Sequence, residues 1–231
     1  MKITFQLVMR GILLVAYFLI LFLNPKLLVE IFNYTLFSVK LYQLIWFFIM
    51  IFVIKDMIPA TSWSQGLRNA FPIGKVEKKT PSTDEHLKEF NIKTGQKALA
   101  IGIFWLCLLA CVGLLYLFKI VNSTFLFSLI IVGIFLDELF ISVWCPFRAY
   151  QGNKCCKTCR ICNWGPLMVF CFLIFIPNFY TYSLIFVSLL MFIQWEYIHH
   201  RLPERFSELY NPSLRCINCK TKCLRLASRK K

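Results

Sequence analysis

The sequence predicts an all-α, polytopic membrane protein with about five or six transmembrane helices, including a short or re-entrant hairpin. Of its 231 residues, 58% are hydrophobic and only 16% are charged, and the mean hydropathy is +0.65. A soluble protein of this length could not keep so much apolar surface from water. The formal charge of +15 comes from basic residues in the gaps between apolar runs. That distribution is typical of topology signals and predicts the lipid bilayer, not nucleic acid, as the partner.

The apolar runs predict the individual spans, since a transmembrane helix needs about 20 mostly apolar residues. The first run covers 5–23 if Arg10 extends to the membrane surface, or 11–32 if Pro25 and Lys26 are tolerated within it. No small-residue cleavage site follows, so we expect an uncleaved first span. The next three runs cover 36–54, 98–118 and 123–144.

The counts of lysine and arginine predict which segments face the cytoplasm. Residues 55–97 contain eight of these basic residues, 145–166 contain four and 196–231 contain nine. By the positive-inside rule, all three segments belong in the cytoplasm. The cysteine-rich segments and the C-terminus are therefore expected on the cytoplasmic side of a multi-pass membrane protein, in the plasma or inner membrane.

The run 166–195 contains thirty largely apolar residues, interrupted by Pro177-Asn178. One strongly tilted helix could use all thirty residues, whereas two short passes would turn at Pro177-Asn178, which is a turn signal. A cytoplasmic tail requires this run to enter the membrane and return. The charge distribution therefore favours the hairpin, although each arm is short for a bilayer.

The chain divides into six predicted parts. The parts are two transmembrane segments in 1–54, a cytoplasmic polar loop in 55–97, a transmembrane hairpin in 98–144, a cysteine-rich cytoplasmic loop in 145–165, a membrane hairpin or kinked helix in 166–198, and a basic cysteine-containing cytoplasmic tail in 199–231. The polar loop is predicted to include a short interfacial helix near 61–71.

Eleven cysteines separate into two groups by their surroundings. Three lie inside apolar spans, where a thiol behaves as a small hydrophobe and is expected to pack in the core: Cys107, Cys111 and Cys171. Disulfides are disfavoured on the reducing side of a membrane, and exposed thiols there are open to oxidation, so the others are expected to bind metal. These eight are Cys145, Cys155, Cys156, Cys159, Cys162, Cys216, Cys219 and Cys223.

Two C-x2-C pairs predict a structural zinc site. Cys156 and Cys159 form one pair, Cys216 and Cys219 form the other, and a basic residue follows each. Two such pairs can supply the four sulfurs of a tetrahedral zinc site, and neighbouring basic residues would offset its negative charge. A zinc ion at this site would fix the tail against the 145–165 loop.

The same region also permits an iron–sulfur cluster. Cys156, Cys159 and Cys162 follow a C-x2-C-x2-C pattern, and Cys145 precedes a proline. This arrangement resembles the ferredoxin-type cluster motif, with the Cys-Pro element first instead of last. The resemblance implies an electron-transfer protein in which these four thiolates hold the cluster.

The fourth span contains two carboxylates, Asp137 and Glu138. Carboxylates inside a membrane are energetically expensive and are functional candidates by default. One interpretation is an ion pair with Arg148 or a lysine near the membrane surface, which would fix helix packing. The alternative is a path for a proton or cation.

A helix end rich in polar residues follows the hairpin. Glu196 and His199 are three residues apart and share a helix face, but a carboxylate-bridged metal site needs a second such copy. We therefore expect these side chains at the lipid headgroups. We also expect Pro203 to end the helix, and Gln43 in the second span to bond a neighbouring helix.

These observations predict a membrane protein with a small cytoplasmic metal module, zinc being the favoured ion, that acts as a binding or scaffold module for a cytoplasmic protein partner. The alternatives are iron–sulfur electron transfer, and metal or cation transport through Asp137 and Glu138. The sequence has no phosphate-binding glycine loop and no hydrolase or zinc-protease motif, and it leaves enzymatic activity open.

Overall fold

The computed structural model describes residues 5–36, 38–58, 81–143, 145–151, 159–207 and 210–211, and these residues are mostly helical. Helix α1 spans Phe5–Leu23 and helix α2 spans Pro25–Asn33. Asn24 separates them, because its side-chain oxygen accepts a hydrogen bond from the Leu27 backbone N–H at 3.3 Å while Pro25 takes the first helical position. Of the two predicted ranges for the first span, 5–23 and 11–32, the helix has the first.

A two-residue antiparallel ladder precedes the next helix, so the described chain is not purely α-helical. Strand β1, Thr35–Leu36, pairs with strand β2, Val39–Lys40. Ser38 lies between them in the left-handed region with φ 64°. Helix α3 then spans Leu41–Met57, beginning later than the apolar run because the hairpin uses the residues before it.

Helix α4 spans Pro81–Leu117, so the prediction of a polar loop up to residue 97 is wrong. Leu87, Thr94 and Ala98 are all buried, and their spacing places them on one helix face. Packing along that face stabilises a helix where hydropathy alone indicated a loop. The predicted interfacial helix near 61–71 lies outside the described residues.

The end of α4 is a Schellman motif without glycine. The Ile120 N–H donates to the Leu115 carbonyl at 3.0 Å, and the Lys119 N–H donates to the Tyr116 carbonyl at 3.0 Å. Lys119 adopts the left-handed conformation with φ 57°. Helix α5, Ser123–Ser142, begins immediately after this turn and is capped by Asn122, whose side chain accepts from the Phe125 N–H at 3.1 Å.

The remaining helices build the end of the molecule that contains the candidate site. Helix α6 spans Pro146–Gln151. A 3₁₀ turn at Ile161–Trp164 continues into α7, Gly165–Phe170, and a second 3₁₀ turn at Cys171–Phe175. Helix α8 spans Phe179–Arg201 and is capped by Asn178. It ends before Pro203, as predicted, and a third 3₁₀ turn at Pro203–Phe206 follows.

The chain reverses at Pro177-Asn178, as the turn signal predicts. The first arm of the hairpin comprises the elements from Ile161 to Phe175, and the second arm is α8. The ring centroid of Trp164, in the first arm, lies 5.4 Å from that of Phe192, near the end of α8. The two arms therefore run antiparallel and pack together. The main core lies between α8, α7, α3 and α5, and its buried residues are Val53, Ile130, Phe170, Leu173, Leu184, Met191, Trp195 and Phe206.

Among the residues that the structure describes, four helices are long and apolar enough to cross a membrane, which is consistent with a membrane protein. Helix α3, with 17 residues, and the apolar stretch Ile161–Phe175 are shorter. The four candidate spans are Phe5–Leu23, Glu85–Leu117, Ser123–Phe140 and Phe179–Arg201.

Polar contacts show which helix ends lie together. Gln194, near the end of α8, donates to the backbone carbonyl of Met57 at the end of α3, at 2.8 Å. At the opposite end, Gln43 donates to the Tyr180 hydroxyl at 2.8 Å, which confirms the predicted interhelical bond. The ends of α3 and α8 therefore meet at one end of the bundle, and their beginnings meet at the other.

Candidate functional site

Three predicted metal ligands lie together where α6 meets the 3₁₀ turn at Ile161–Trp164. Cys145 and Cys159 are both fully buried, with 0% exposure, and Cys162 is half-buried. Cys145 precedes α6 at its amino end, and Cys159 precedes the turn that contains Cys162. We call Cys145, Cys159 and Cys162 the thiol cluster.

Hydrogen bonds connect the thiol cluster. The Cys162 thiol bonds to both other thiols, and Cys159 Sγ donates to Gln151 Oε1 at 3.0 Å. The hydrogen bond from Cys162 lowers the pKa of Cys159. The bonds to Cys145 and Cys159, together with burial, raise the pKa of Cys162 well above its usual value. Cys162 therefore holds its proton while Cys159 is the more readily ionised thiol.

An apolar shell surrounds the thiol cluster on the side of α4. Ala98 on α4 is 1% exposed, and it packs with Ile161 and Trp164 around Cys159. These contacts exclude water from the Cys159 sulfur. The partly buried neighbours are Ile101, Phe147, Cys162, Met168 and Phe192.

An ion-pair network borders the thiol cluster. Arg160 Nε lies 2.9 Å from both carboxylate oxygens of Glu196, and Arg160 Nη2 also contacts Glu196 Oε2. The Trp164 indole N–H donates to Glu196 Oε1 at 2.8 Å. The Glu196 carboxylate therefore has partners within the protein, because the Arg160 guanidinium and the Trp164 indole N–H face it.

His199 is buried within the protein. Its ring stacks on Phe206 at 4.9 Å between centroids, and Phe206 packs edge-on against Trp195. The turn at Pro203–Phe206 that follows α8 is thus packed against the helix through Phe206. Glu196 and His199 have different neighbours even though they share a helix face.

The remaining predicted thiol ligands cannot be placed. Within the described ranges, no group of three or more His, Cys, Asp and Glu side chains has the arrangement of a metal centre. In the thiol cluster, Cys162 links the other two sulfurs in a chain. The predicted ligands outside the described residues are Cys155, Cys156, Cys216, Cys219 and Cys223.

Two of the three cysteines in the apolar spans are not buried in the core as predicted. Cys107 and Cys111 on α4 are exposed, so they do not pack in the core of the chain. Cys171 is half-buried, donates to the Met168 carbonyl and accepts from the Trp105 indole N–H at 3.3 Å.

Asp137 and Glu138 face an arginine of the first helix. Arg10 Nη1 lies 3.5 Å from Asp137 Oδ2 and donates to the Ile134 carbonyl at 2.8 Å. Arg10 Nη2 lies 3.8 Å from Glu138 Oε2, and Ser142 also donates to Glu138 at 2.8 Å. The carboxylates are therefore paired as predicted, with Arg10 of α1 as the partner.

Comparison with known proteins identifies no relative: no protein family, no curated protein and no solved structure matches the chain.

Proposed function

We propose that the chain is a multi-pass membrane protein whose cytoplasmic end carries a structural zinc centre held by cysteine thiolates. The observation that carries this proposal is the thiol cluster, in which Cys145, Cys159 and Cys162 converge from both sides of the 152–158 segment. Three soft sulfur donors in one place are characteristic of zinc and iron–sulfur sites. Cys156 is the proposed fourth ligand because it forms a C-x2-C pair with Cys159.

The direct contact of Cys162 with the other two thiols is an argument for zinc over an iron–sulfur cluster. With Zn–S bonds of about 2.3 Å, tetrahedral geometry puts two sulfurs about 3.8 Å apart, which is close to the separation of hydrogen-bonded thiols. In a cluster, irons and sulfides lie between the ligating thiolates and hold them further apart. A zinc ion bound here would replace the contacts that Cys162 makes with Cys145 and Cys159 by sulfur–metal bonds.

The surroundings of the cluster support a structural role. The thiol segment packs on Ala98 of α4 and on Phe192 of α8. Zinc bound at the cluster would tie α6 and the 3₁₀ turn to these two helices, and the bundle would then present a rigid surface to a cytoplasmic partner. Closed four-cysteine sites of this kind contribute folding free energy directly.

Metal analysis tests the proposal. The protein is purified anaerobically in detergent without added chelator, and its zinc, iron and acid-labile sulfide are measured together with its visible spectrum. We expect about one zinc per chain and no colour. Cys159→Ser and Cys162→Ser should each lose the metal, whereas Cys107→Ser and Cys111→Ser, which change exposed thiols far from the cluster, should retain it.

The outcomes separate the alternatives. About four irons with matching sulfide and a brown colour would replace the zinc centre with an electron-transfer cluster. Metal-free protein that shows the same helical content would remove both metal proposals and leave a set of reactive thiols. Equal loss of zinc from the exposed-thiol variants would show that the metal is bound nonspecifically.

A further inference from the structure

We propose that helix α2, Pro25–Asn33, is an interfacial helix that lies along the membrane surface with its apolar side against lipid. This inference rests on the membrane-spanning part of the function proposed above and is independent of the metal. Asn24 and Pro25 separate α2 from α1, so its nine residues do not extend the first span. None of these nine residues is buried within the protein, so α2 has a surface open to its surroundings.

The residues of α2 form a polar side and an apolar side. Lys26, Glu30 and Asn33 are spaced by four and three residues, so they share one side of the helix. Val29 lies between the two sides. A short helix with this division is suited to the boundary between water and hydrocarbon. The apolar side consists of Leu27, Leu28, Ile31 and Phe32.

The protein covers only part of the apolar side. Helix α2 packs against α1 and α3, and Leu28 and Phe32 are half-buried. Leu27 and Ile31, which are one turn apart, remain exposed at 40% and 37%. An open apolar strip therefore lies beside the packed one.

The two ends of α2 place it at the level of the membrane surface. Helix α1 has 19 residues. At about 1.5 Å per residue it is about 28 Å long, close to the roughly 30 Å of the hydrocarbon core. Helix α2 begins at Pro25, directly after this span, and the Tyr34 carbonyl that follows α2 accepts from the Leu41 N–H of α3 at 2.9 Å. Helix α2 therefore lies where the hydrocarbon ends.

Aromatic residues at the same end of the bundle support this level. Gln43 of α3 donates to the hydroxyl of Tyr180, at the start of the candidate span α8. The Lys40 ammonium lies 5.9 Å from the centroid of the Tyr42 ring, and Tyr34 is exposed. Tyrosines are enriched where a membrane meets water. Lipid is therefore the partner that the open strip of α2 fits.

Chemical labelling of added cysteines tests the placement of α2. The full-length protein is reconstituted into phosphatidylcholine vesicles, and a charged, membrane-impermeant maleimide is added during freeze–thaw cycles so that it reaches both surfaces. Peptide mass spectrometry reads the modified fraction at the added cysteine alone, and each rate is divided by that of the same variant unfolded in SDS. The variants are Lys26→Cys and Glu30→Cys on the polar side, Leu27→Cys and Ile31→Cys on the apolar side, and Leu13→Cys as the control from the exposed surface of α1.

We expect Lys26→Cys and Glu30→Cys to react at least about tenfold faster than Leu27→Cys and Ile31→Cys, because the maleimide attacks thiolates in water. The two apolar positions should react as slowly as Leu13→Cys. Benzoylphenylalanine incorporated at position 27 should form an adduct with phosphatidylcholine on illumination, which identifies lipid as the partner.

Three results would contradict the inference. Equal labelling of all four α2 positions, with Leu13→Cys protected, would overturn the inference alone, because α2 would then lie wholly in water or wholly in the bilayer. An adduct between two chains in place of the lipid adduct would show that a second copy covers the strip. Fast labelling of Leu13→Cys as well would show that α1 is not in the bilayer, which would overturn the membrane-spanning part of the proposed function together with the inference.

Discussion

Arg10 shows how a single residue can join two apolar helices. An arginine inside an apolar span is energetically costly, and such residues are usually paired within the bundle. Here the guanidinium of α1 meets Asp137, Glu138 and the Ile134 carbonyl, all on α5. Because the positive charge is already matched, the arrangement supports a structural lock between α1 and α5 more than a path for transported cations.

Replacing Arg10 with methionine should therefore destabilise the protein by about 2–4 kcal/mol, since both carboxylates would lose their cationic partner. Adding Asp137→Asn to Arg10→Met should recover part of the loss, giving a coupling free energy of about 1–2 kcal/mol. Thermal or denaturant unfolding in detergent measures both effects.

Lys26→Met is the control for Arg10, because Lys26 lies exposed at the start of α2. It should leave the stability nearly unchanged. If the effects of Arg10→Met and Asp137→Asn simply add, the ion pair does not contribute to stability. Transport of a metal ion that is abolished by Asp137→Asn alone would instead favour the transporter alternative.

At the scale of elements, two glycines of α4 pack against the segment Ile161–Phe175. A methyl group at Gly113 would lie 2.5 Å from Phe175 Cζ and 2.7 Å from Phe175 Cε1, which no real contact tolerates. At Gly102 the nearest atom, from Trp164, is 3.6 Å away, an ordinary contact distance. The two glycines of one helix thus have different packing requirements.

Gly113→Ala should destabilise the fold by about 1–3 kcal/mol, because the Phe175 ring has to move out of a packed core. Gly102→Ala should be neutral or slightly stabilising, since alanine favours the helix. Thermal unfolding of the two variants in the same detergent gives the comparison. Equal thermal stability of the two alanine variants would show that the Phe175 ring moves aside freely. If Gly113→Ala is destabilised, combining it with Phe175→Leu should recover stability.

The sequence predicts elements well where one physical property decides them. The apolar runs place α1, α3, α5 and the arms of the hairpin, and Pro177-Asn178 places the reversal. It fails for 81–97, because that helix is stabilised by tertiary packing of Leu87 and Thr94, which hydropathy does not report. The partner of Glu196 was also missed, since nothing in the local sequence indicates that Arg160 faces it across the turn.

At the scale of the whole molecule, the thiol cluster and the charged helix ends gather at one end of the bundle. Arg10 meets Asp137 there, Gln194 meets Met57, and Glu196 meets Arg160. The opposite end contains the start of α8 and the short turn between α4 and α5. A zinc–thiolate centre requires the first of these ends to face a reducing compartment.

Reporter fusions test that orientation directly. A reporter placed within 75–90 and another placed after residue 231 should both report the cytoplasm, because both positions lie in segments rich in lysine and arginine. A reporter inserted between Lys119 and Asn122 serves as the internal control and should report the opposite side. If 75–90 and the C-terminus were both found outside, the thiols would face an oxidising compartment. Disulfides would then explain the cysteines better than zinc.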